Sequence, residues 1–336
     1  MRYVLGIDQG GSKTYAIVAD ERGSILGFGA GPGACHSVNG LQRALDAIEA
    51  AVAQACGEAG IAARQIERVC AGLTGVDWPH EGPMLRGAVA GLLQLEPERV
   101  SIVNDCIIAL RAGTAKDKSC ILCAGSGLNC AVRSGERLYT FGFYIEDRCQ
   151  GGQALGLRTV QAVFDAESGL LPPTELTRPV LAHMGCDSVD ELLERQVTAG
   201  LDSSAVLQLP RVLEKIALEG DGVALEVLRV FGRDIARYAV AGLARFDMLK
   251  SEVDVVLSGS VFKCRARVLQ DTVTQEIRKR APRINVIQSE YEPIVGAALM
   301  ALDDLGGCGG APAGERLARG AKRLGLIRNA PAQFED

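Results

Sequence analysis

The chain has 336 residues, enough for about two domains. Its 36 Lys+Arg against 41 Asp+Glu leave a formal charge of -5, without the basic excess of a nucleic-acid binder. A hydrophobic content of 48% excludes a disordered acidic protein, and no stretch reaches the ~18 unbroken apolar residues of a membrane span.

The N-terminal MRYVLGIDQGG lacks a secretory apolar region, so a cytoplasmic protein is expected, with no nucleic acid or membrane as partner. The eleven cysteines are odd in number and carry no export signal, which argues against a disulfide framework. The one tight pair, Cys120 and Cys123, lies in an apparent strand. Its odd spacing points the two thiols to opposite faces and opposes a shared metal.

In chain order, an apolar run at 3–7 ends in Asp8-Gln9-Gly10-Gly11-Ser12-Lys13-Thr14. Runs at 15–19 and 24–29 follow, joined by a Gly-containing turn. Leu41, Ala44, Leu45, Ile48, Ala51, Val52 and Ala55 recur at the helical period, with Gly57 and Gly60 as stops. A strand at 66–71, a helix at 83–93, a strand at 100–103 and a short helix to 112 complete a β-β-β-α-β-α-β-α half. The second half begins alike: a strand at 119–123, a Gly-rich turn Gly125-Ser126-Gly127, then strands at 130–133 and 138–143. A long helical region follows over 152–249. Strands at 253–257 and 284–287 and helices at 265–280 and 293–302 close this half. The repeated order predicts an α/β protein of two similar lobes around a cleft. The expected boundaries are 1–113, 114–305 and 306–336. The last segment combines a glycine-rich linker with a basic stretch that reads as a solvated helix.

The segment Asp8–Thr14 has the make-up of an anion cradle. Gly10 and Gly11 let the backbone approach a ligand, and successive N–H groups can hold phosphate oxygens. Ser12 and Thr14 add hydroxyls, and Lys13 adds charge if it points inward. Asp8 ends a buried strand, where a carboxylate needs a partner or a metal. An ordinary hairpin turn fits equally well, and no helix follows as in a nucleotide-binding P-loop. A matching turn at 125–127 strengthens the phosphate reading. Asp105 ends a strand, where it can act as a proton acceptor or simply cap the next helix. Ser258-Gly259-Ser260 offers backbone to a flat nucleobase, or is a plain turn. The histidines at 36, 80 and 183 form no metal pair, although His36 lies in a loop that can border the cleft.

The ordered set DQGGSKT, AGLTGVD, VNDC, AGSGLN, VVLSGSVF and EPIVGAALMAL resembles the actin-like ATPase and sugar kinase superfamily across about residues 3–303. Within it the chain is similar to the N-acetylglucosamine kinase branch, grouped with the BadF/BadG/BcrA/BcrD ATPases. The resemblance implies two ribonuclease-H-like lobes with mixed sheets, ATP and Mg²⁺ as cofactors, and a homodimer. It implies phosphate contacts from Asp8, Gly10, Gly11, Ser12, Lys13, Thr14, Gly125, Ser126 and Gly127. Asp8 would also meet the Mg²⁺, and Gly259 and Ser260 would lie by the adenosine. Asp105 would match the general base, with Asn104, Asn129, Asp147 and His36 toward the sugar.

Two departures fall in the sugar pocket. A Gly-Asp-Glu-Gly-Ser stretch is replaced around Asp147 by Glu146-Asp147-Arg148-Cys149, and a Ser-Asn loop by Gly33-Ala34-Cys35-His36. The resemblance thus carries ATP binding further than it carries N-acetylglucosamine as acceptor. The expected function is ATP-dependent phosphorylation of a sugar or amino sugar hydroxyl. The alternatives are a sensor that has lost catalysis, or an ATPase activating a partner such as a 2-hydroxyacyl-CoA dehydratase through a cysteine-bridged iron–sulfur cluster.

Overall fold

A computed structural model describes residues 1–306 and 310–327. The chain forms two compact units, Met1–Ala115 with Ser289–Asp336, and Lys116–Gln288.

The first unit holds β1 (Tyr3–Gln9), β2 (Lys13–Asp20), β3 (Ile25–Pro32), β4 (Ile66–Leu73) and β5 (Val100–Asn104) in the order β3-β2-β1-β4-β5. β1 and β2 pair antiparallel, as do β2 and β3, whereas β1–β4 and β4–β5 are parallel. The parallel strands are buried on both faces, which is why they read as continuous apolar runs. Leu5 and Ile7 join Ile48, Val52 and Val89 on one face. These come from α2 (Leu41–Ala59) and α3 (Glu81–Leu93), which follow a one-turn helix α1 (His36–Asn39) that the sequence pattern did not indicate. α2 passes through Gly57 and stops only at Gly60, whose φ of +67° is the left-handed cap.

The second unit repeats the plan with β6 (Ser119–Ala124), β7 (Leu128–Ser134), β8 (Arg137–Thr140), β9 (Val253–Ser258) and β10 (Ile284–Gln288), ordered β10-β9-β6-β7-β8. Antiparallel and parallel pairings fall at equivalent places, so the repeat expected from the sequence is present in both sheets. β8 is shorter than expected: it ends at Thr140, and Gly142 at φ +50° turns the chain out of the extended region. The long helical region comprises α5 (Gly151–Glu167), α6 (Thr177–Met184), α7 (Val189–Thr198), α8 (Ser203–Leu218) and α9 (Gly222–Arg245), and α10 (Val268–Arg278) follows β9. Their apolar faces share one core with the sheet, centred on residues such as Phe231, Leu213 and Val255.

The expected boundary at residue 305 is displaced. Helix α11 (Pro293–Asp303) packs in the first unit against β1 and α4 (Asp105–Gly113). The reason lies in small residues at the contact. A Cβ on Gly296 would overlap the Ile108 carbonyl of α4, and one on Gly6 would stand 2.5 Å from the Ala298 nitrogen. Val295, Ala297, Ala298 and Ala301 then close against Val4, Ile17 and Cys70. The tail helix α12 (Gly310–Arg323) joins the same cluster through Leu317 and Ala321, so it is docked along one face instead of solvated all round. Its Arg316, Arg319, Lys322 and Arg323 are exposed. Most of the glycine cluster, with Cys308, and Arg328 lie outside the described residues. No helix among the described residues is long and apolar enough to cross a membrane.

Candidate active site

Asp105 is the first residue of α4, directly after β5. It does not cap the helix. The cap is Asn104, whose side-chain oxygen accepts from the Cys106 amide at 3.0 Å. Asn104 Nδ2 donates to the Val76 carbonyl at 3.2 Å and to Asp77 Oδ1 at 3.1 Å. Both ends of this side chain therefore hold protein, and Asn104 ties the turn after β4 to the start of α4. Burial pushes the Asp105 carboxyl up, and the Asp77 carboxylate adds to the effect. The Cys106 amide and the Thr74 hydroxyl pull the other way, with a net value of about 6.

Thr74, Asp77 and Glu81 were not singled out as site residues in the sequence. Thr74 and Asp77 belong to AGLTGVD, whose turn follows β4, and the pattern gave no reason to assign them roles. Glu81 reads locally as an ordinary acidic residue at a helix start. In the fold its Oε2 accepts both the Asp77 and Trp78 amides at 2.8 Å, and its Oε1 meets His36 Nε2 at 3.1 Å. Both partners of this contact have side chains only 8% exposed. Burial raises the Glu81 carboxyl, but the two amides and His36 outweigh it, so the net direction is down. His36 is thus engaged by Glu81.

The first Gly-rich turn closes by the Gly10 amide donating to the Lys13 carbonyl at 2.9 Å. Gly11 and Ser12 are exposed. Neither Gly10 nor Gly11 needs a positive φ, and a Cβ would meet nothing at Gly11 and only the Lys13 carbonyl, 3.8 Å away, at Gly10. The fold itself does not require glycine there, and the bare backbone leaves room for a ligand. Two of the expected phosphate-contact side chains have protein partners. The Thr14 hydroxyl donates to the Pro32 carbonyl at 2.7 Å inside the sheet. Lys13 Nζ pairs with Glu292 at 3.2 Å and lies 4.3 Å from the Tyr15 ring centre. Burial works against the Lys13 charge, but Glu292 and Tyr15 prevail and hold its pKa above the ordinary value. Asp8 is 8% exposed. It is in register with Gly72, whose face looks at Ile108 of α4, so Asp8 shares the sheet face covered by the helix that Asp105 begins.

In the second unit, the turn Gly125-Ser126-Gly127 is braced by α5. Its Gly125 and Ser126 carbonyls accept from the Gly152 and Gln153 amides at 2.8 and 3.1 Å. A Cβ on Gly151 would strike the Gly127 carbonyl. Gly259 has φ +101° and abuts the Ala124 carbonyl at the end of β6, so the turn geometry alone demands glycine there. Ser260 beside it is exposed. Asn129 Oδ1 accepts from the Gly142 amide at 3.1 Å and fixes the turn after β8. Asp147 is exposed. Its neighbour Glu146 is the bound member of this stretch: Arg148 Nε donates to it at 2.8 Å, and Arg237 also pairs with it. Cys120 is fully buried and Cys123 only half so. Among the described residues, no group of three or more His, Cys, Asp or Glu is placed to hold a metal.

The chain is 22% identical over 306 residues to the N-acetylmuramic acid/N-acetylglucosamine kinase of Clostridium acetobutylicum, spanning 90% of this chain and 98% of that protein. It is 28% identical over 253 residues to the glucosamine kinase GspK of Vibrio cholerae, spanning 72% of this chain and 80% of that one. A solved structure from Chromobacterium violaceum, named as a candidate N-acetylglucosamine kinase, superposes with a TM-score of 0.67 at 22% identity, covering 90% and 99% of the two chains. That likeness shows a shared fold. Matching the family's pattern over residues 5–301, the chain belongs to the BadF/BadG/BcrA/BcrD ATPase family.

Proposed function

We propose that the protein transfers the γ-phosphoryl group of ATP to a hydroxyl of a sugar or amino sugar. The observation that carries this reading is Asp105, a carboxyl at a strand end held near pH 6 by burial and a neighbouring carboxylate. Such a group is ionised at neutral pH and basic enough to accept a hydroxyl proton as the oxygen attacks. The kinase names of two relatives support the same reaction class. Phosphoryl transfer asks mainly for positioning and charge neutralisation. The open backbone at Gly10 and Gly11 and the braced turn at 125–127 suit the phosphates. Gly259 and Ser260 suit the nucleoside, and Asn129 and Asp147 the acceptor.

Mg²⁺ fits this donor set. It commonly takes one or two carboxylates and completes its shell with phosphate and water. Asp8, buried on the α4 face of the sheet, is the carboxylate that would hold it, where the ion would neutralise charge on the phosphates.

The test is ADP release from Mg²⁺·ATP with a panel of N-acetylglucosamine, glucosamine, glucose, N-acetylmuramate and polyols. Strong stimulation by one member supports the kinase and names its acceptor. Asp105→Asn should then abolish most transfer while ATP affinity stays nearly constant. Tight binding of a sugar with no turnover across the panel would favour a sensor and defeat the proposal.

A further inference from the structure

We propose that the buried pair His36–Glu81 is a clamp that fixes the 76–78 turn, so that Asp77 stands beside Asp105 as a positioning residue for the base. The inference rests on the reading of Asp105 as that base.

Glu81 is a costly residue to bury, and its environment supplies the compensation. Three donors meet it: the amides of Asp77 and Trp78 at 2.8 Å and His36 at 3.1 Å. Two of these are consecutive amides of one turn, so a single carboxylate sets the path of the chain between β4 and α3. The turn is tied down at its other side by Asn104, which holds the Val76 carbonyl and Asp77 Oδ1 while capping α4. Asn104 therefore links the Asp77 carboxylate to the helix start that carries Asp105. The loop of His36 is itself pressed against the turn. Gly75, at φ +79°, leaves no space for a Cβ beside Cys35 Sγ, which also reaches the Thr74 carbonyl at 3.6 Å.

The consequence is electrostatic. From the 74–78 turn Asp105 receives one hydroxyl, from Thr74, and one like charge, from Asp77. A fixed like charge raises the proton affinity of a carboxyl, which makes it a better proton acceptor near neutral pH. The other charged groups of this region are Asp8 on the same sheet face, the paired Lys13 and Glu292, and Glu81, which accepts from the Asp77 amide, with the titratable His36 bound to it. A clamp that merely stiffened the loop would leave the titration of Asp105 where it is.

Asp77→Asn separates the two roles, because it keeps an oxygen for Asn104 Nδ2 and removes the charge. The readout is the titration of the Asp105 carboxyl by carbon NMR in ligand-free protein, assigned with Asp105→Asn. Asp77→Asn should lower its midpoint by about one pH unit. The acid limb of kcat/KM should move down by the same amount. Glu81→Ala should shift the midpoint in the same direction by a smaller amount, and Glu81→Gln, which keeps an acceptor for the turn amides, should restore most of it. An unchanged midpoint in well-folded Asp77→Asn overturns the proposal. If Asp105→Asn retains full transfer, the base assignment fails instead, while the ligand-free titration still decides whether Asp77 sets Asp105.

Discussion

Asp105→Asn should stabilise the fold above neutral pH even as it removes transfer. In the unfolded chain this carboxyl titrates near its ordinary 3.8, and in the folded protein near 6. A gap of about 2 pH units is worth ~3 kcal/mol. The sign follows from the raised folded value. The stability contribution is full below about pH 4, where the acid is protonated in both states. It is lost as pH rises through about 6, because the folded protein must then carry a half-buried charge beside Asp77. Asn imitates the protonated acid at every pH and can still accept from Thr74 and the Cys106 amide. Asp105 keeps some contact with water, which weakens the penalty, so a gain of about 1–2 kcal/mol is expected at pH 8. Urea unfolding of both proteins at pH 8 and pH 4.5 measures it. The variant should be the more stable at pH 8, with the difference shrinking at pH 4.5. A variant less stable than the parent at pH 8, or a difference that does not change with pH, would refute the reasoning.

Gly6→Val should cost about 1–3 kcal/mol or more through overpacking, since its side chain would enter the backbone of α11 at Ala298; a lower thermal midpoint reports it. Gly259→Ala should destabilise by more than about 1 kcal/mol, because φ is +101° and a Cβ would strike the Ala124 carbonyl. On the proposed placement of the nucleoside it should also weaken ATP binding by calorimetry. Leu317→Ala should cost about 2–5 kcal/mol, since that side chain is fully buried under α12. A cost below about 0.5 kcal/mol would mean that α12 is a solvated appendage after all.

The order of strands and helices was legible because each element carries its own periodicity, and both halves repeat it. The two Gly-rich turns and Asp105 directly after β5 were legible for the same reason: the residues that follow a strand end are a local signal. The choice between neighbours was not. Either Asn104 or Asp105 satisfies the local rules for a helix cap, and only the position of Val76 and Asp77 gives the cap to Asn104 and leaves Asp105 beside them. Thr14 and Lys13 look like phosphate ligands within their own segment. Their polar atoms are claimed by Pro32 on the next strand and by Glu292, 279 residues away. His36 and Glu81 lie 45 residues apart and meet only when α1 is laid against the turn after β4. The placement of α11 in the first unit likewise depends on how closely Gly6 and Gly296 let backbones approach. Local patterning therefore determined which segments form strands, helices and turns. Tertiary packing decided what each polar side chain binds, because a buried donor or acceptor takes the partner the whole fold brings to it.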